Sequence, residues 1–155
     1  MQELETLLES AVAYEVRGAK ALDDRDWKAA AASFRKGIAL APNEPSLHHK
    51  LGTALFMDGD TEGAAEEFSS ALRLSPTFVK AHYSLGVLMG SRGRLDAAID
   101  HLSAAVKQDP AYVEARLRLA DVLRTAGRAD EALRHYEQVE ALDARIVDAP
   151  VGSVM

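Results

Sequence analysis

Pro42, Pro76 and Pro110 stand 34 residues apart, and the residues around them recur at the same period. Alanine returns at Ala30, Ala64, Ala98 and Ala132. Glycine returns at Gly59, Gly93 and Gly127, and earlier in each unit at Gly18, Gly52 and Gly86. A ring or a leucine returns at Phe34, Phe68, Leu102 and Tyr136. Independent series that share one period of about 20 to 50 residues mark a stacked-repeat chain. A unit of that size cannot bury its own apolar face and reaches stability by stacking on its neighbours. The constraint turns the search for function from a catalytic pocket toward a surface.

Each unit reads as two helices. In 45–78, Leu51, Ala54 and Leu55 follow helical spacing as far as Gly59. Asp60 and Thr61 then open a second series, Ala64, Ala65, Phe68, Ala71 and Leu72, which stops at Pro76. The glycine supplies a left-handed residue that closes the first helix with little strain. The proline ends the second helix, because it lacks an N–H and pushes its predecessor out of the helical region. Gly52 and Ala64 predict a close crossing of the two helices, where a large side chain would overpack. Alanine is abundant while valine, isoleucine and aromatics are sparse, which favours helix over strand. The chain divides into repeats 11–44, 45–78, 79–112 and 113–146. A helical extension, 1–10, is expected before them, and after them a tail, 147–155, in register with the start of a fifth repeat.

Composition narrows the function classes. The chain has no cysteine, which excludes disulfides, thiol catalysis and thiolate metal sites. A net charge of −6, spread thinly over the repeats, lacks the basic footprint of a general nucleic-acid binder. No run of 18 apolar residues exists to span a membrane. Glu3, Glu5 and Glu9 stand where a secretory signal needs Lys or Arg, so a cytoplasmic protein is expected.

Neither a GxSxG elbow, a phosphate loop, a GxGxxG turn nor HExxH is present, so no catalytic residue, cofactor or metal is expected. His48 and His82 are equivalent positions in successive repeats. The period explains their spacing, and with His49 beside the first they read as structural. His101 and His135 share a later position, on the second helix and its outer face. Trp27 reads as core, and Arg92 and Arg94 as a solvated turn.

These residues closely resemble the tetratricopeptide repeat family over some 136 of the 155 residues. Repeat 45–78 carries Leu51, Gly52, Leu55, Gly59, Ala64, Phe68, Ala71 and Pro76 at the motif positions. Repeat 79–112 carries Leu85, Gly86, Met89, Gly93, Ala98, Leu102, Ala105 and Pro110. Repeat 11–44 departs at Arg17 and Arg25, where Leu and Gly are expected, and repeat 113–146 departs at Ala144, where Pro is expected.

The resemblance implies an all-α, right-handed superhelix of four helix-turn-helix repeats, whose first helices line a concave groove for a partner peptide or helix. Its geometry assigns to the groove Glu15 and Leu22, then His49, Thr53, Phe56 and Met57, then Lys80, Tyr83 and Val87, and finally Leu117, Asp121 and Arg124. Tyr83 and His49 are expected to present polar tips there, while Leu22 and Val87 read equally well as groove or as packing between helices. The carboxylate-clamping subclass is not matched: its positions hold Glu15, Ala19, Lys50, Lys80 and Ser84, and Lys80 alone agrees.

The reading is therefore a non-catalytic module that binds a protein or peptide, without nucleic acid or membrane. One alternative is a self-assembling scaffold that docks through its open end, where Ile146, Val147 and Val151 lie. Another is the repeat region of a larger enzyme or secretion-chaperone system. No polar capping helix follows the fourth repeat, so the chain is expected to be a piece of a longer array or to pair with a second copy.

Overall fold

The protein is described by a computed structural model over residues 10–148. Among the described residues there are eight α-helices and no strand. They are α1 (Ala11–Asp23), α2 (Trp27–Leu40), α3 (Pro45–Met57), α4 (Thr61–Leu74), α5 (Val79–Ser91), α6 (Leu95–Gln108), α7 (Val113–Thr125) and α8 (Ala129–Asp148). The chain forms two compact units, Met1–Leu85 and Gly86–Met155, with the boundary inside α5.

Local chemistry sets where the helices begin and end. Ser10, Asp26 and Asp60 cap α1, α2 and α4, each side chain accepting from the backbone N–H three residues on, at 3.1, 3.1 and 2.9 Å. Gly59, Gly93 and Gly127 take φ of +90°, +73° and +81° in the turn inside each hairpin. The next N–H then reaches back five residues, as from Asp60 to the Leu55 carbonyl at 2.9 Å. Arg25 occupies the corresponding position in the first hairpin and adopts φ +58° without the glycine. A left-handed residue with a Cβ costs about 1–2 kcal/mol, so this turn is the strained one. Helices α2, α4 and α6 end two residues before Pro42, Pro76 and Pro110.

In the first unit α1 packs on α2, α2 on α3 and α3 on α4. Phe34 and Phe68 are buried there with Ala30, Ala64, Leu47 and Leu51. A Cβ at Gly18 would lie 2.4 Å from the Phe34 ring, and one at Gly52 would lie 2.6 Å from the Phe68 ring. The glycines are therefore seats for the facing rings, and the Ala64 carbonyl oxygen, 3.2 Å from that same Gly52 position, completes the crossing. In the second unit α6 packs on α7 and α7 on α8, around Ala98, Leu102, Ala115, Leu119 and Leu123. Gly86 seats Leu102 in the same manner, at 2.5 Å.

The carbonyl of each repeat-ending proline is also taken. His48 Nε2 lies 3.0 Å from the Pro42 oxygen, His82 Nε2 lies 2.9 Å from the Pro76 oxygen, and Arg116 Nη2 lies 2.9 Å from the Pro110 oxygen. These three side chains share one position of the repeat, six residues after the proline.

At the two ends the helices differ from the expected boundaries. Ser10 is an extended N-cap, not part of a helix, and residues 1–9 of the expected extension lie outside the described residues. Helix α8 runs 20 residues to Asp148, because Ala144 has replaced the proline that would stop it. Val147 and Asp148, read as the first residues of a tail, are its last turn, and 149–155 lie outside the described residues. No helix among the described residues is long and apolar enough to cross a membrane.

Candidate functional site

Helix α1 carries Glu15 and Leu22, α3 carries His49, Thr53, Phe56 and Met57, and the first turns of α5 carry Lys80 and Tyr83. None of these is fully buried, and Met57 is 50% exposed. Two of them enter a ladder in which one repeat's fifth position meets the next repeat's sixth. Lys50 Nζ donates to the Glu15 carboxylate, and His49 Nε2 lies 2.9 Å from Ser84 Oγ. Glu15 thus has its own ammonium partner.

His49 departs from the expectation of a free polar tip. Its ring lies 5.3 Å from that of Phe68 and meets Phe78 edge-on at 5.7 Å, while Ser84 takes its outer nitrogen. Desolvation, and then Lys80 and Lys50, lower its pKa to about 4, so the ring is neutral in ordinary buffer. The ring is thus half-buried, in contact with Phe68, Phe78 and Ser84. Thr53 is also turned to its own helix, its hydroxyl donating to the His49 carbonyl at 3.0 Å. Leu22 is half-buried on α1. Met57 and Lys80 are exposed, while Phe56 and Tyr83 are half-buried like Glu15, Leu22, His49 and Thr53.

In the second unit, the last turns of α5 and the facing side of α7 enclose a cleft of about 270 Å³. Val87, Gly90 and Ser91 line one wall, and Arg118, Asp121, Val122 and Thr125 the other. Val87 is half-buried and lies within this wall. A Cβ at Gly90 would meet Val122 across the cleft in ordinary contact, at 3.6 Å. Asp121 is partly committed: it accepts from the Tyr136 hydroxyl, and Arg124 Nη2 stands 3.8 Å from it. Leu117, 38% exposed, lies outside the cleft on the same helix.

Among the described residues no three of His, Cys, Asp and Glu converge to hold a metal ion. His48 is occupied by the Pro42 carbonyl on one nitrogen and by Glu67, at 2.8 Å, on the other. The residue that sequence reasoning passed over is Arg116, the buried charged side chain of the second unit, only 8% exposed. Its signal was present: the series Tyr14, His48, His82 and Arg116 holds a ring in three repeats and a guanidinium in the fourth. Near the end of the chain Leu133 is 56% exposed beside exposed Glu137 and Glu140. The side chains of Ile146 and Val147, and Val151 as a whole, lie outside the described residues.

Helical hairpins closed by glycine, ended by proline and stacked one on the next define a helical-repeat protein that offers surfaces between its first helices. Profiles of the tetratricopeptide repeat match residues 7–77 and 91–150, and the chain belongs to that family. The crystal structure of MamA is similar, with a TM-score of 0.84 at 20% identity, covering 94% of this chain and 85% of that one. YrrB, described as a TPR protein with an unusual peptide-binding site, gives 0.72 at 22% identity over 85% of this chain and 68% of its own. The first TPR of Spaghetti (RPAP3), bound to the HSP90 peptide SRMEEVD, gives 0.73 at 20% identity over 76% and 95%. At such identities the likeness is one of fold. A comparison with curated protein sequences finds no match.

Proposed function

We propose that this protein is a non-catalytic interaction module, cytoplasmic in setting, that holds a peptide or helical segment of a partner protein against the first helices of its repeats. The observation that carries the reading is the cleft between α5 and α7. Val87 and Asp121, two of the positions that the resemblance assigns to a groove, line one concavity together with Gly90, Ser91 and Thr125. Its apolar wall, faced by Asp121 and Arg118, suits a segment with small apolar side chains that offers one donor and one acceptor. The first unit by itself carries Phe56, Met57 and Tyr83, of the types that dominate contact energies because they bury much area or re-pack easily. The peptide-bound and peptide-binding proteins of the same fold make this use of the surface a reasonable one.

The test is selection from a displayed peptide library against the native chain and against a Ser91→Glu, Thr125→Glu variant, which places two carboxylates on the walls of that cleft. Both substituted side chains are exposed, so the variant is expected to keep its helix content. Peptides enriched on the native chain should lose at least about tenfold in affinity on the variant. Equal binding to both, or no enrichment at all, would overturn the proposal.

A further inference from the structure

We propose that a second cleft, between α7 and α8, binds a carboxylate through Arg116 and Arg145. This cleft of about 220 Å³ is lined by Pro110, Arg116, Gln138, Ala141, Leu142 and Arg145. It is separate from the cleft between α5 and α7, and its test does not depend on a partner binding there.

Arg116 carries the argument. It is more than nine-tenths buried, yet every group it touches is neutral: the Pro110 carbonyl on Nη2, and the Gln138 side-chain oxygen and His135 Nδ1, at 3.2 Å, on Nη1. Its Nε has no acceptor among the described residues. A buried guanidinium without a counter-charge is costly, and an N–H without an acceptor adds to that cost.

The second repeat has the missing element. There His48 fills the position of Arg116 and reaches the Pro42 carbonyl in the same way, but the residue 19 positions later is Glu67, whose carboxylate lies 2.8 Å from the His48 ring. In the fourth repeat the residue 19 positions after Arg116 is His135, which offers no negative charge. The second repeat thus gives this position an internal carboxylate, and the fourth repeat leaves its guanidinium without one.

The walls of the cleft complete the site. Arg145 is an exposed second guanidinium, and a carboxylate has two oxygens to divide between two such groups. Gln138 is exposed, so its oxygen yields to a charged acceptor at Arg116 Nη1 without disturbing the core. Ala141 and Leu142 give an apolar floor for the carbon behind the carboxylate. The ligand is a free small carboxylate or one borne on a peptide.

The experiment tracks the arginine Nε–H resonances of the 15N-labelled full chain. Three titrants are compared at equal ionic strength: sodium acetate, an N-acetylated, C-amidated peptide with one aspartate, and sodium chloride. Arg116 and Arg145 should shift saturably with acetate or peptide and not with chloride. A stronger response to acetate identifies a free anion as the natural occupant, a stronger response to the peptide a partner-borne one, and either supports the site. Arg145→Gln should weaken binding at least about fivefold. His135→Glu should restore the internal pair seen in the second repeat and remove the response, with helix content checked by circular dichroism. Equal shifts with chloride, no saturable shift in the native chain, or a His135→Glu chain that titrates like the native one would overturn the proposal.

Discussion

A neutral imidazole at position 49 ties the stability of the first unit to pH. Its folded pKa of about 4 lies below the ordinary 6.5, so between those values the unfolded chain binds the proton and the folded chain does not. Stability from this group is fully present above pH 6.5 and is lost as pH falls toward 4, at no more than about 1.4 kcal/mol per pH unit. Lys80 and Lys50 sharpen the effect by opposing the charged ring. The urea midpoint of the native chain should therefore drop between pH 7 and pH 4.5, and His49→Gln should drop less over the same range. A variant with an unchanged slope would show that other groups set the acid limit. The position in the repeat had marked His49 as accessible. Ser84, 35 residues later, bonds its Nε2, and Phe78 packs against its ring, which is half-buried.

Helices show the same division between what is local and what is not. Asp26 and Asp60 cap their helices with side-chain bonds, but the matching position before α6 holds Arg94, which makes none. Arg94 is exposed in the turn, as expected, and stands at the N-cap of α6. Arg94→Asp should supply the missing acceptor and stabilise the second unit by about 1 kcal/mol, read as a rise in the denaturation midpoint. No rise would mean that the backbone before α6 cannot bring the carboxylate to the free N–H groups. The glycine and proline signals that bound these helices were legible in the sequence, because each acts through the φ angle or the N–H of its own residue. The seats at Gly18, Gly52 and Gly86 were legible only as small residues; that each receives a particular ring or leucine is decided by how two helices meet.

For the whole molecule, the same position of a repeat has different worth according to whether another helix packs over it. Ile99 on α6 is 8% exposed, while Leu133, its equivalent on α8, is 56% exposed. Helix α7 packs against α6, but no further helix comes after α8 among the described residues. Ile99→Ala should cost about 2–4 kcal/mol through lost burial and an unfilled cavity, whereas Leu133→Ser should stay within about 0.5 kcal/mol. Urea unfolding monitored by circular dichroism separates the two, and a comparable loss from both would show that Leu133 is covered in solution.

What the sequence determined alone was the period, the eight helices it implies, the turn glycines and the stopping prolines. Those features are set by interactions within a few residues, and four repeats of them leave little room for another fold. What the tertiary structure decided was the use of each polar side chain. Glu15 with Lys50, His49 with Ser84, His48 with Glu67 and Arg116 with His135 are pairs 19 or 35 residues apart. Whether a side chain at a given position is spent on such a pair depends on its neighbour in the next helix or the next repeat. The period gives that neighbour's place, but only the packed helices bring the two groups within bonding distance.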